Sequence, residues 1–304
     1  MKRSSLGPFI RHTACARSRQ RIGRKKHGHE NVFPHIGTTA SETASCPILI
    51  GKAGNSPSSE RKDGMRRWNR LRDVVLGVIV SLLCAFPVSA REKVILDSDM
   101  VEGFDDGVAM LALAQSPGIE LIGVTIVAGN TWVSDGVAYA LRQLEIAGQN
   151  IPVAAGVDRP FRPQRYELFG LERQLFGMGH DAWVGAFGYP KPESWQKVYR
   201  ERYGKEPQSR PDPRHAVDFI IEEVRKHPGE LTIVEIGPCS NLALAVLKAP
   251  DIVPLIKRVI FMGGSFFKPG NVTPTAEFNW WFDPEAARIV VRTPFREQIM
   301  VGLD

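Results

Sequence analysis

The sequence predicts an α/β fold: a mostly parallel open sheet with helices on both faces and a Rossmann-like core. Three observations carry this reading. Short runs that are apolar at nearly every position recur from Lys93 to Leu303, and a strand without polar alternation must be covered on both faces. Stretches of helical spacing stand between these runs, so strands and helices alternate as βαβ units require. Polar residues follow the strands directly, at the carboxyl ends where open parallel sheets bind ligands.

Taken in order, Lys93–Asp97 is a β-branched strand, followed by a helical pattern from about Asp105 to Gln115. Ile119–Val127 is a near-continuous apolar strand, Trp132–Ala147 has helical spacing, and Ile151–Ala155 is a third short strand. A Gly-, Pro- and Arg-rich connection then runs from Asp158 to Pro213, a length that suits a functional lid or a flexible insertion. His215–Lys226 predicts an amphipathic helix that buries Phe219, Ile220 and Val224. Leu231–Ile236 is a buried strand, Leu242–Leu247 is helical, and Val259–Met262 is a strand again. Pro284–Val291 and Ile299–Leu303 complete the alternation as helix and strand. His215 and His227 fall on helix surfaces, and Cys239, in an apolar context, is expected to be a buried thiol.

Charge divides the chain. Residues 1–70 hold 15 Lys+Arg against 4 Asp+Glu, whereas residues 91–304 hold 23 against 28. The folded part is therefore mildly acidic, which argues against a nucleic-acid surface there. Residues 1–64 show no sustained period and are dominated by Arg, Lys, His, Ser and Gly, a composition that cannot offset its chain entropy by burial. They are expected to be a disordered basic leader that natural translation omits by starting at Met65, a basic nucleic-acid arm being the other reading. From Met65 a positive start leads into the apolar run Val74–Phe86 and ends at Pro87-Val88-Ser89-Ala90. This is the pattern of a secretory signal peptide over 65–90, too short for a stable membrane anchor. The mature protein, residues 91–304, is then expected to be periplasmic or secreted, and it retains Cys239 as its single cysteine, so no internal disulfide forms.

Asp97, Asp99, Asp105 and Asp106 place four carboxylates within ten residues. Packed together they repel unless a cation neutralises them, and a hard, oxygen-liking ion such as Ca²⁺ is the natural partner. Asp105 and Asp106 also open a helix, where negative charge is favoured, and plain N-capping is the alternative for either one. Asn130 follows an apolar strand and a glycine, and Asn271–Asn279 sets two amides and Glu277 after another strand. That density of hydrogen-bonding groups suits a polyhydroxylated ligand, although each piece alone reads equally well as turn chemistry.

The order of these pieces resembles the inosine–uridine-preferring nucleoside hydrolase family. The matching runs are Val94-Ile95-Leu96-Asp97-Ser98-Asp99, Gly103-Phe104-Asp105-Asp106, Val127-Ala128-Gly129-Asn130, Gly237-Pro238-Cys239-Ser240-Asn241-Leu242-Ala243, Met262-Gly263-Gly264, and Gly270-Asn271-Val272-Thr273-Pro274 through Ala276-Glu277-Phe278-Asn279 to Asp283-Pro284-Glu285-Ala286-Ala287. The resemblance implies hydrolysis of the N-glycosidic bond of a small-molecule ribonucleoside to ribose and free base, with bound Ca²⁺. It implies Asp99 as metal ligand and base, with Asp106 and the Ile236 carbonyl as further ligands. Asp105, Asn130, Asn271, Glu277 and Asn279 would bind ribose hydroxyls, and His180 would stand near the leaving base.

Two departures accompany the resemblance. Five residues, Met100 to Phe104, separate Asp99 from Asp105 where the family has three, so the loop must bulge or Glu102 must join the site. The family's domain also continues beyond the position of Asp304, with a further metal aspartate and a histidine. Residues 91–304 are therefore expected to hold its N-terminal two-thirds, with apolar faces left open, weak stability and poor activity. Two other functions fit parts of the sequence. Val94–Asp99 also resembles the first motif of haloacid-dehalogenase-type phosphatases, with Asp97 as nucleophile, but the later acidic motif is missing. A periplasmic protein that binds ribose or a nucleoside without cleaving it is the other. Oligomeric state is left open, a homo-oligomer included.

Overall fold

The computed structural model describes residues 90–179 and 181–304, together with Arg67, Trp68, Leu71, Arg72, Val74 and Val75. Two units divide the chain, Met1–Ile79 and Val80–Asp304. The six described residues of the first are helical and exposed. The basic leader and most of the signal segment lie outside the described residues, and among the described residues no helix is long and apolar enough to cross a membrane.

The second unit builds a six-stranded sheet with every pairing parallel. Its strands are β1 (Glu92–Ser98), β2 (Ile119–Ile126), β3 (Val153–Ala155), β4 (Leu231–Glu235), β5 (Arg258–Met262) and β6 (Gln298–Val301), in the spatial order β3-β2-β1-β4-β5-β6. The chain thus winds outward from β1 in one direction and, after β4, in the other. The switch point falls between β1 and β4, where an open parallel sheet leaves a crevice beyond its carboxyl ends.

Eight helices of the second unit, among its described residues, connect these strands. They are α1 (Asp105–Gln115), α2 (Val133–Ile146), α3 (Phe169–Phe176), α4 (Trp195–Tyr203), α5 (Ala216–Lys226), α6 (Ser240–Lys248), α7 (Phe278–Phe282) and α8 (Pro284–Arg292). Alternation along β1 sends Val94 and Leu96 to one core, with Val137 and Leu141 of α2, and Ile95 to the other, with Phe219, Ile233 and Leu242. Burial of this strand on both faces explains its apolar run. The expected α5 face is buried as read, with Phe219, Ile220 and Val224 inward, and His215 caps that helix by accepting from the Val217 N–H. Cys239 is buried. At the far end of the described sheet, β6 pairs with β5 and leaves Ile299, Met300 and Val301 exposed.

The connection from Asp158 to Pro213 is more ordered than its composition predicts, since it contains α3 and α4. Its aromatic residues supply the reason. Phe169 and Phe187 stack on Trp281 and Phe282, while Tyr199 is fully buried. The connection returns to the sheet where the Asp212 N–H donates to the Val153 carbonyl at 2.8 Å. Arg214 secures this return: its guanidinium binds Asp212, Glu222 and Glu223 and lies 4.5 Å over the Phe219 ring. Arg214→Ala would take from Asp212 its side-chain partner and leave Glu223 with Lys226 alone. Allowing for solvent at the partly exposed guanidinium, the expected loss is about 2 kcal/mol, read as a lower urea midpoint with unchanged m-value.

Candidate functional site

The carboxyl ends of β1, β2, β4 and β5 surround a cavity of about 590 Å³ lined by Asp105, Asp106, Asn130, Ile236, Asn271, Glu277 and Asn279, together with Val101, Phe104, Trp183 and Phe278. Parallel topology is what gathers these residues, because every strand delivers its last residue to the same edge of the sheet.

Asp99 follows β1 and is completely buried, 0% exposed. Its Oδ2 accepts the Asn130 backbone N–H at 2.6 Å, while Oδ1 is buried with no hydrogen-bond donor. Burial first, then the charge of Asp106, push its carboxyl well above the usual range, although the Asn130 amide opposes this. Gly129 is required beside it, since a Cβ there would stand 2.2 Å from Asp99 Oδ2. Asp106, in the first turn of α1, is 4% exposed and accepts from the Ser98 hydroxyl at 2.7 Å. Burial raises its pKa to about 6, with Ser98 lowering it and Asp105 adding a smaller upward push. Asp105 is exposed at the cavity rim, where its Oδ1 accepts the Asp106 N–H at 3.2 Å.

The opposite wall is held by backbone donors. Glu277 caps α7 and accepts three N–H groups, from Asn279 at 2.7 Å, Gly264 at 2.9 Å and Trp280 at 3.1 Å. Burial raises its pKa while these three bonds lower it. Asn279 donates through Nδ2 to the Ile236 carbonyl at 3.0 Å and to the Met262 carbonyl at 3.1 Å, tying the ends of β4 and β5 together. Asn271 accepts the Phe278 N–H at 2.8 Å.

Two expected residues stand elsewhere. Asp97 is not at the cavity. It lies fully buried inside β1, on the face of Ile95, where Oδ1 accepts from Asn241 at 2.7 Å and from the Thr125 hydroxyl. Inside the strand and with Oδ1 taken by two donors, it is not presented to an incoming phosphate as the phosphatase reading requires. Glu102 does not join the site either: the longer loop turns at Gly103, with φ 65°, and Glu102 pairs outward with Arg202. A left-handed turn of this kind is open to glycine at no steric cost. His180 lies outside the described residues.

Sequence reasoning missed Glu235. It sits beside Asp97 in register on β4, is 0% exposed, and neither of its oxygens finds a donor. Burial and then the Asp97 charge push it well above the usual range, and burial raises Asp97 to about 6. With both groups ionised, Asp97 Oδ2 and both Glu235 oxygens would be buried without a donor, whereas one shared proton joins Asp97 Oδ2 to a Glu235 oxygen. The signal was present as a glutamate inside an otherwise apolar strand. Trp183 was missed as well: 59% exposed, it borders the cavity and donates its indole N–H to Asn130 Oδ1 at 2.7 Å.

Asp99 and Asp106 fit a hard cation in kind, because the donors are all oxygen and Asp99 Oδ1 is buried and bare. In number they fall short: among the described residues no three His, Cys, Asp or Glu side chains cluster tightly enough to hold an ion. The Ile236 carbonyl, water and ligand hydroxyls would complete the six to eight oxygens that Ca²⁺ takes.

Comparison with known proteins is consistent with this geometry. Residues 94–304 match the family described as inosine-uridine preferring nucleoside hydrolase. An uncharacterized protein of Schizosaccharomyces pombe is 40% identical over 201 residues, which is 66% of this chain and 57% of that relative. The pyrimidine-specific ribonucleoside hydrolase RihB of Escherichia coli is 36% identical over 214 residues, 70% of this chain and 60% of its own. Among solved structures, the plant nucleoside hydrolase PpNRh1 superposes with a TM-score of 0.54 at 31% identity, covering 70% of this chain and 60% of that one. A purine-preferring ribonucleoside hydrolase from Gardnerella vaginalis gives 0.55 at 31%, covering 70% and 61%. The chain therefore spans 57–60% of the length of these curated relatives.

Proposed function

Because the chain belongs to the inosine-uridine preferring nucleoside hydrolase family, we propose that its acidic cavity binds a ribonucleoside and hydrolyses the N-glycosidic bond to ribose and free base. The observation that carries this reading is the buried, bare Oδ1 of Asp99, whose carboxyl feels the charge of Asp106, behind a cavity lined by Asp105, Asp106, Asn130, Asn271, Glu277 and Asn279. Asp99, Asp106 and the Ile236 carbonyl would hold Ca²⁺. When bound, the ion supplies a ligand for sugar hydroxyls and a water of lowered pKa.

The chain's own residues do the rest. Asp99 takes the proton of the attacking water as general base, through the oxygen that has no other donor. The Asn130 N–H fixes one oxygen of Asp99 and so aims the other. Asn130, Asn271 and Asn279 bring amides, and Asp105 and Glu277 bring acceptors, to a polyhydroxylated ligand. As the bond to the base lengthens, the sugar gains oxocarbenium character, and the surrounding carboxylates stabilise it. The relatives are named for pyrimidine and for purine nucleosides alike, so the proposal extends to the ribonucleoside class and to no particular base.

Incubation of the full chain with inosine or uridine and Ca²⁺ tests the reading. Equimolar ribose and free base are expected, with loss of both on chelation. Stoichiometric nucleoside binding without release of base would establish the non-catalytic binding protein instead. We extend the proposal to the leader: residues 65–90 direct export and are removed after Ala90. Amino-terminal sequencing of protein recovered outside the cytoplasm should begin at Arg91, and an intact Met1 or Met65 there would contradict it.

A further inference from the structure

The segment from Trp183 to Ala186, between α3 and α4, is fastened onto the residues that follow β2. The Ala186 N–H donates to the Gly129 carbonyl at 2.8 Å, and the Trp183 indole N–H donates to Asn130 Oδ1 at 2.7 Å. Gly185 lies so close to Gly129 that a Cβ on it would stand 2.2 Å from the Gly129 carbonyl oxygen. Asn130 in turn donates its backbone N–H to Asp99. A continuous chain of contacts therefore runs from the long connection through Asn130 to the buried carboxylate.

The indole sets the direction of the Asn130 amide. An indole nitrogen is a donor only, so the amide must turn its oxygen toward Trp183; the flipped amide would set donor against donor. With Oδ1 engaged, Nδ2 is the end turned toward Asp99, whose carboxylate it helps to stabilise, and its second hydrogen is the one left for a ligand in the cavity. We propose that Trp183 is a positioning residue that locks the Asn130 amide, so that Asn130 presents a donor to a sugar oxygen. Nothing in the motifs around Asn130 specifies this, because the indole that takes Oδ1 comes from 53 residues further along the chain. The inference rests on the ribonucleoside reading of the cavity, and it deepens that reading by making the long connection part of sugar recognition.

A double-mutant cycle on the full chain tests it, with calorimetric titration of D-ribose, which the chain cannot consume, and of uridine. Trp183→Phe keeps an aromatic ring at an exposed position and removes only the donor. It should weaken ribose binding about fivefold to tenfold, the worth of one net hydrogen bond. In an Asn130→Ala background the same change should cost less than twofold, since a residue acting through Asn130 has nothing left to position. Equal losses in both backgrounds, or no loss in either, would overturn the proposal while leaving the ribonucleoside reading intact. A wild-type chain that binds neither ribose nor uridine would overturn both. The indole ¹⁵N–H resonance of Trp183 gives a ligand-free check: it should move on Asn130→Ala, and an unmoved resonance would contradict the bond.

Discussion

Asp99→Asn should lower the rate of base release about 10³-fold, the scale on which a general base contributes, and should also weaken Ca²⁺ binding. The substitution keeps the volume and leaves an oxygen to accept the Asn130 N–H. What it removes is the charge and the second carboxylate oxygen, the one that is buried and bare. The loss should fall on kcat more than on KM, because the base acts in the transition state. A variant that retains wild-type kcat would take Asp99 out of the chemistry. Asp105→Asn, at the exposed rim, should instead act on KM.

Glu235→Gln should stabilise the protein at alkaline pH. The folded-state pKa values of Asp97 and Glu235 are both raised, Asp97 to about 6 and Glu235 well above its ordinary value. The folded state therefore binds protons more tightly than the unfolded chain. Stability is fully present below the unfolded values near 3.8 and 4.5, and it declines as pH rises through the folded ones. Glutamine supplies the donor that the shared proton supplies in the wild type, without a charge to lose. The variant should gain on the order of 1–3 kcal/mol at pH 8 and show a flatter pH profile. Urea unfolding from pH 5 to pH 8, with a chelator present, measures both. Equal slopes for the two proteins would mean that the pair is not protonated as argued.

Sequence and structure agree most closely where one physical rule dominates. Val94–Leu96 and Ile119–Ile126 are strands because both faces are buried, and hydrophobicity reports that directly. Strand direction then places Asp99, Asn130 and Ile236 at one edge without further information. The rest depended on contacts made across the chain. In α3 and the segment that follows it, order comes from Phe169 and Phe187 packing against Trp281 and Phe282, far along the sequence, while α4 is held by the buried Tyr199, which donates to Glu145 of α2. The helix α7, five residues rich in aromatics, exists because the Glu277 carboxylate caps it, and the same residue read locally as one more polar group in a loop. The four aspartates look alike in sequence, but the end of β1 separates them: Asp97 lies inside the strand beside Glu235, whereas Asp99 lies past its last residue, Ser98. Glu102 could not be placed from spacing, since its partner Arg202 is a hundred residues away.

Calorimetric titration of the full chain with Ca²⁺ tests the central claim, that Asp99 and Asp106 form one cation site at the foot of the cavity. One ion per chain is expected, with affinity falling at least about tenfold in Asp99→Ala and in Asp106→Ala. Glu102→Ala should bind as the wild type does. Absence of binding to the wild type, or unchanged affinity in Asp99→Ala, would contradict the account.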